Sequence, residues 1–438
     1  MAPTVREWVP AVAAWFAGTL ATFVLANPPE WRGTINVTGR QLEWWLDALP
    51  TGSVIGTALA VPTYVALRRP RSARPAWMAA VVASCVLIAA RIAVPGVHGL
   101  AEVTTLHYAK CVAGGLLLGA AVAAVWVRPL SRFALVAAVA STFVVAHTAH
   151  ATGEASVSTL GPPFWWLLIP SLVLAAVCAV IDTADVTTAT PDRILVQVIA
   201  AAVTLAIAHR MLGAWIDGQT ADSELQVWSF IGVCLVLVMA LTEFWARRLD
   251  SPFLLAATAV AAATAVVTPQ VARQFTLEPW LMVVVGVAAV VGGLAVAVRR
   301  PSLPLGLALL AAIPLLTALD PDLGDGRSWL LARLVVLGLG IGLALGSTLP
   351  DDGALASLGL AVPLLSLVFT YVAQSDGAIA IYSGAHEPPS STPGGQFGAT
   401  AATHAPGSRL AGIALLLVVL YCALAIRRLR TRPVPRAD

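Results

Sequence analysis

The chain has 438 residues, of which 58% are hydrophobic and 11% charged, with a formal net charge of +3 and a mean hydropathy of +0.85. A water-soluble domain is about 45–50% apolar and about 25% charged, so this composition excludes a soluble globular fold, which needs a polar exterior. The surplus apolar surface must face lipid, and the small net charge leaves no electrostatic footprint for nucleic acid.

Fourteen apolar segments, each of about the 20 residues that cross a bilayer, follow one another along the chain. The first, near Thr19, lacks a cleavage site and is followed by many more, so it reads as a span and not as a leader. The next five centre near Ala60, Leu87, Leu117, Ala140 and Val173, and a further pair near Val203 and Leu235. The last six centre near Ala262, Ala289, Ala311, Leu339, Leu364 and Val418.

Arginine sets the orientation, because basic loops stay in the cytoplasm. Arg68, Arg69, Arg71 and Arg74 follow span two, Arg128 and Arg132 follow span four, and Arg247 and Arg248 follow span eight. Arg299 and Arg300 follow span ten, and Arg427, Arg428, Arg430 and Arg432 follow span fourteen. With the N-terminus inside, every cluster falls on one side. The opposite loops carry acids and tryptophan: Glu30, Trp31, Trp44, Trp45 and Asp47, then Glu154, Asp217, Asp222 and Asp320 to Asp325. The predicted location is a bacterial plasma membrane, with many spans and both termini cytoplasmic. A long external segment, 375–408, is rich in Gly, Pro, Ser and Thr and reads as a surface loop, with a lid or partner-docking hairpin as the sharper alternative. The five cysteines lie inside apolar runs without a CxxC spacing and read as small buried or lipid-facing residues.

Span two ends YVALRRPRSARP and span ten ends AVAVRRPSLP. Each is the basic turn after the second span of a six-span half, which suggests a duplication with spans seven and eight inserted. The segments RQLEWWLDALPTGSVIGTALAVP, LHYAKCVAGGLLLGAA, FWWLLIPSLVLAAV, EFWARRLDSPFLL and VLGLGIGLALG occur in that order along the chain. Together they resemble the second, fourth and sixth spans, the linker into span nine and the Gly-rich twelfth span of the fourteen-span drug:proton antiporter branch of the major facilitator superfamily. The resemblance implies an all-α polytopic fold of about fourteen transmembrane helices in two six-helix bundles plus two inserted helices. The divisions would be residues 1–182, 190–247 and 250–430, with a cytoplasmic tail at 431–438. The chain departs from that branch in four places. The cytoplasmic motif G-x-x-x-D-R-x-G-R-R keeps only its basic residues, the fifth-span G-P-x-x-G-G is absent, the first span has no Asp, and the fourth-span Arg is Lys110.

A charge inside a span costs at least about 2.5–3.5 kcal/mol. Lys110 is the single lysine and lies on an apolar helix. It reads either as a cavity-facing cation for an anionic substrate group or as a residue that snorkels to the outer edge or pairs structurally. Glu102, Leu106 and Lys110 share a helical face, His107 is one turn from Lys110, and Arg91 ends the preceding span. These four polar residues form a candidate substrate-binding or coupling cluster, or alternatively a structural ion-pair network. Arg333, in span twelve, could line the cavity of the second half or reach out to the acids before it, and Gln270 is a candidate because the resembled branch often has a polar Gln there. His147 with His150, and His209 with Arg210, read as interfacial polar residues. Gly342 and Gly346 read as a close helix contact. No catalytic residue, cofactor motif or metal motif is recognised.

The leading reading is a transporter exporting a hydrophobic or amphipathic small molecule, or a lipid, by alternating access. The alternative is a non-transporting scaffold or accessory subunit with a membrane-protein partner in envelope assembly. An envelope glycosyltransferase is disfavoured, because its paired external acids are missing.

Overall fold

The computed structural model describes residues 5–27, 39–68, 72–94, 99–146, 163–182, 191–217, 219, 224–273, 278–320, 326–367 and 409–431. Among them the fold is all-α, with fourteen helices. The first six are α1 Val5–Ala26, α2 Gly39–Leu67, α3 Arg74–Ala93, α4 Leu100–Val125, α5 Pro129–Val145 and α6 Trp165–Ile181. Next come α7 Asp192–Asp217 and α8 Glu224–Arg248, followed by α9 Pro252–Arg273, α10 Pro279–Arg299, α11 Leu303–Leu319 and α12 Arg327–Gly346. The last two are α13 Gly353–Leu367 and α14 Arg409–Arg430. Each centre expected from hydropathy lies inside one of these helices. Among the described residues nine helices are long and apolar enough to cross a membrane, and α5, α6, α11, α13 and the fully described part of α9, Pro252–Val267, are shorter apolar stretches. The chain is a multi-pass membrane protein.

Several boundaries follow from local chemistry. Helices α3, α5 and α10 begin with proline in the first turn, where its missing N–H leaves no bond unmade. Helix α8 ends where Asp250 adopts φ 49°, the left-handed conformation. That residue lets Ser251 N–H donate to Ala246 O at 3.0 Å, satisfying a terminal carbonyl and turning the chain directly into α9.

Helices α1 to α6 form one packed unit, in which α1 meets α4 and α6, α2 meets α4, and α3 meets α4 and α6. Raising every label by eight gives the second unit: α9 meets α12 and α14, α10 meets α12, and α11 meets α12 and α14. The two basic-turn sequences thus end corresponding helices, α2 and α10. The inserted helices divide between the units: α7 packs on α2, while α8 packs on α14 and α9 as well as on α7.

Cross-contacts also fix the threading. Arg68 after α2 pairs with Asp192 at the start of α7 at 3.7 Å. Asp182 after α6 accepts from Trp77 in the first turn of α3 and from Arg128 before α5. These links gather ends of α2 and α6 with starts of α3, α5 and α7, as a chain crossing back and forth requires. They define an arginine-rich end and an opposite end of the bundle. Four of the cysteines are buried and Cys85 is exposed. Loop 375–408, His147 and His150 lie outside the described residues.

Candidate functional site

The most extensive packing in the first unit is between α2 and α4, and glycine makes it possible. A Cβ on Gly115 would run into the Gly56 carbonyl, and one on Gly56 into the Cys111 carbonyl. Backbones this close exclude any side chain, as in small-residue membrane interfaces. The second unit repeats the device between α10 and α12, where Gly342 abuts the Val290 carbonyl and Gly293 abuts Leu339. The expected close contact of Gly342 and Gly346 is present, the latter against Ala297.

Toward the opposite end, the same α2 and α4 faces hold His107. Its Nε2–H donates to Leu49 O at 3.1 Å, and Cys111 Sγ lies 3.7 Å from Nδ1. The carbonyl can only accept, which assigns the proton to Nε2. The fully buried Trp45 packs edge-on, with ring centroids 5.9 Å apart. His107 is therefore a held, wall-forming residue with both ring nitrogens engaged, and among the described residues no group of three or more potential metal ligands occurs.

Lys110 is 4% exposed. One turn further along its face, Gly114 lies against Val24 and Leu25, so Lys110 stands beside the last turn of α1, where helix carbonyls carry partial negative charge. Burial at this depth replaces the expected snorkelling alternative. Arg91, half-buried in the last turn of α3, is close enough for its charge to act on Lys110, and Lys110 acts in turn on His107. Three of the four clustered candidates thus converge. Glu102 is exposed in the first turn of α4, about 12 Å along the helix axis from Lys110. Arg333 is 2% exposed on α12, the counterpart of α4. It stands nine residues before Gly342, whereas Lys110 stands five before Gly115, so each unit buries one cation on the corresponding helix, about a turn apart in depth. Gln270 lies in α9, but its side chain is outside the described residues.

Sequence reading missed three polar constellations. The first is a clasp between α7 and α2: Arg210 pairs with Asp47 and donates from Nε to Thr51 Oγ1 at 2.7 Å. Arg210, read as an interfacial anchor, is a clasp residue. The second is the buried Asp182 with Trp77 Nε1 at 2.9 Å and with Arg128. The third joins the units at the arginine-rich end. Trp126 Nε1–H donates to Pro350 O at 3.2 Å, Arg132 reaches Asp351 at 3.4 Å, and the Arg132 guanidinium lies 5.8 Å from the Trp126 ring. Gly353 leaves room for the Tyr64 ring in the same seam. Toward the opposite end, Gly286 of α10 meets Val144 and Val145 of α5. Between these contacts is a narrow gap of about 10 Å³, room for about one water molecule, lined by Phe143, Val260, Leu345, Leu360 and Pro363 among others, all apolar. The arginine turns, Arg128 and Arg132, and the separately noted Asp47 and Arg210 carried a sequence signal, but none that paired them with these partners.

No known family pattern matches the chain, and no curated protein matches it. Among solved structures, it is similar to a bacterial homologue of the human lysosomal transporter Spinster in an inward-facing, unoccupied conformation. The alignment covers 99% of this chain and 100% of that one, at 10% identity and a TM-score of 0.45.

Proposed function

We propose that the protein is a secondary transporter of the major facilitator type, moving a hydrophobic or amphipathic small molecule or a lipid by alternating access, with both termini in the cytoplasm. The observation that carries this reading is the repeated contact pattern of α1–α6 and α9–α14, which supplies two similar six-helix units packed face to face along an apolar seam. Rocking of duplicated halves about a central site is how such folds transport. Residues 1–182 and 250–430 would be the moving domains. The apolar lining suits an apolar cargo. Arg91 with Lys110, and Arg333 in the second unit, lie outside this lining and would meet an anionic group on the cargo as the units part. Export is the direction implied by the family resemblance.

The test is flux in proteoliposomes, using a short-chain fluorescent phospholipid and a hydrophobic dye as probes. Wild-type protein should accelerate at least one probe over empty vesicles, and Lys110→Ala should lower that flux while eluting as folded protein. An unchanged flux in folded Lys110→Ala protein removes the cation from the mechanism.

A second reading, the non-transporting scaffold, is favoured by the seam, which touches on both sides of the small void. Absence of flux for every probe, together with a stable complex with another membrane protein, would establish that reading instead.

A further inference from the structure

At the arginine-rich end, α8 and α14 flank the second unit. Glu243 of α8 is 8% exposed and accepts hydrogen bonds from Tyr421 of α14 and Arg247 of its own helix. The charge of Arg428, on α14, acts on both Glu243 and Tyr421. Two helices thus bring Arg247 and Arg428 to one carboxylate. Arg248, Arg427 and Arg430 stand exposed on the same helix ends. Among the described residues there, five guanidiniums face two carboxylates, Glu243 and Asp250, so positive charge remains after internal pairing.

Apolar stripes lead into this basic end. On α14, Leu417, Tyr421, Leu424 and Arg428 fall on one helical face, and the first three are 61%, 38% and 53% exposed. On α8, Val236, Ala240, Glu243 and Arg247 fall on one face, exposed at Val236, Ala240 and Arg247. Both faces therefore run from lipid-facing aliphatic side chains to a guanidinium, and the Tyr421–Glu243 bond ties them together.

We propose that the α8–α14 seam binds an anionic phospholipid of the leaflet at the arginine-rich end. The phosphate lies between Arg247 and Arg428, and the acyl chains follow the two stripes. Arginine suits this role because its planar fork makes paired bonds to phosphate oxygens, and basic pockets between membrane helices recognise anionic headgroups. Glu243 and Tyr421 position the guanidiniums. The proposal does not depend on the transport reading.

The experiment uses the full-length protein in detergent, titrated with phosphatidylglycerol or phosphatidylcholine, with retained lipid read by native mass spectrometry and stability by thermal melting. Phosphatidylglycerol should be retained and should raise the melting temperature, and phosphatidylcholine should do neither. The double variant Arg247→Gln/Arg428→Gln should weaken phosphatidylglycerol binding by roughly tenfold or more. The variant Arg299→Gln/Arg300→Gln removes equal charge from the same end, away from the seam, and should bind as wild type. Equal loss in both variants would reduce the effect to general surface charge and overturn the site, as would no loss in either. Inorganic phosphate alone should not raise the melting temperature, and if it matches the lipid, the lipid assignment fails. Should the seam double variant not fold, Arg428→Lys keeps the charge, removes the fork and should weaken binding severalfold.

Discussion

The indole N–H of Trp126 donates to the carbonyl of Pro350 across the seam between the two six-helix units, 3.2 Å from nitrogen to oxygen. These residues are 224 positions apart, and each sits in a short turn: Trp126 between α4 and α5, Pro350 between α12 and α13. The bond joins the two six-helix units at corresponding turns, so any separation of the units at this end must break it.

Trp126→Phe keeps the ring and removes the donor. A hydrogen bond of this kind contributes about 1 kcal/mol, so the equilibrium should shift roughly fivefold toward separation at this end. A cysteine at Leu364, in a background lacking native thiols, should then react faster with a water-soluble maleimide added from the arginine-rich side. An unchanged labelling rate would show that the contact does not hold the seam.

Asp182→Asn should be the most destabilising single-atom change among the polar contacts. The carboxylate is buried and serves both Arg128 and the Trp77 indole. Arg128 retains some exposure, which lowers the cost below that of a fully buried broken pair, to about 2–3 kcal/mol. Chemical unfolding measures it, and Arg128→Gln combined with Asp182→Asn should cost less than the two single changes added together.

Gly115→Leu forces a side chain into the Gly56 carbonyl, so α2 and α4 must move apart. Overpacking costs about 1–3 kcal/mol even where some relaxation is available, and backbone offers little. The variant should lose most of its monodisperse peak on size exclusion, and Gly342→Leu should do the same in the second unit. Gly99→Ala, which meets nothing within 4 Å, should leave the profile intact.

Arg210→Gln opens the α7–α2 clasp. The Asp47 side chain is 67% exposed, so solvent screens the pair and the expected loss is below about 1 kcal/mol. A thermal melt within a few degrees of wild type fits this, whereas a collapse would mean the clasp supports far more than its own ion pair.

The helices were legible because apolar runs of membrane length leave few alternatives, and the arginine turns follow from the same threading. The mutual approach of Arg91, His107 and Lys110 was partly legible, since two of them share one helix and the third ends its neighbour. Asp182 was not, because its partners lie 105 and 54 residues away and a single acid after an apolar run looks like any helix end. The α2–α4 approach was missed although each helix carries a GxxxG spacing, Gly52–Gly56 and Gly115–Gly119, because the spacing marks a face for close packing but does not say which helix meets it. Arg333 gave two readings, a cavity-lining cation or, slightly preferred, a partner of the acids before it, because sequence places a residue along a helix but not which way its neighbours crowd it.

The attachment of α7 to α2 and of α8 to α14 has a consequence for how the gene could be divided. Each half of the polypeptide owns seven helices, and the natural point of fission lies between Asp217 and Glu224, inside the inserted pair rather than beside it. Two separately encoded fragments cut there would each carry a full six-helix bundle plus one flanking helix. Re-association would then use the α7–α8 face, where Trp245 donates to Thr204 at 2.8 Å and Trp215 stacks edge-on against Phe230, together with the α5–α10 contact at Gly286 and the seam around Trp126.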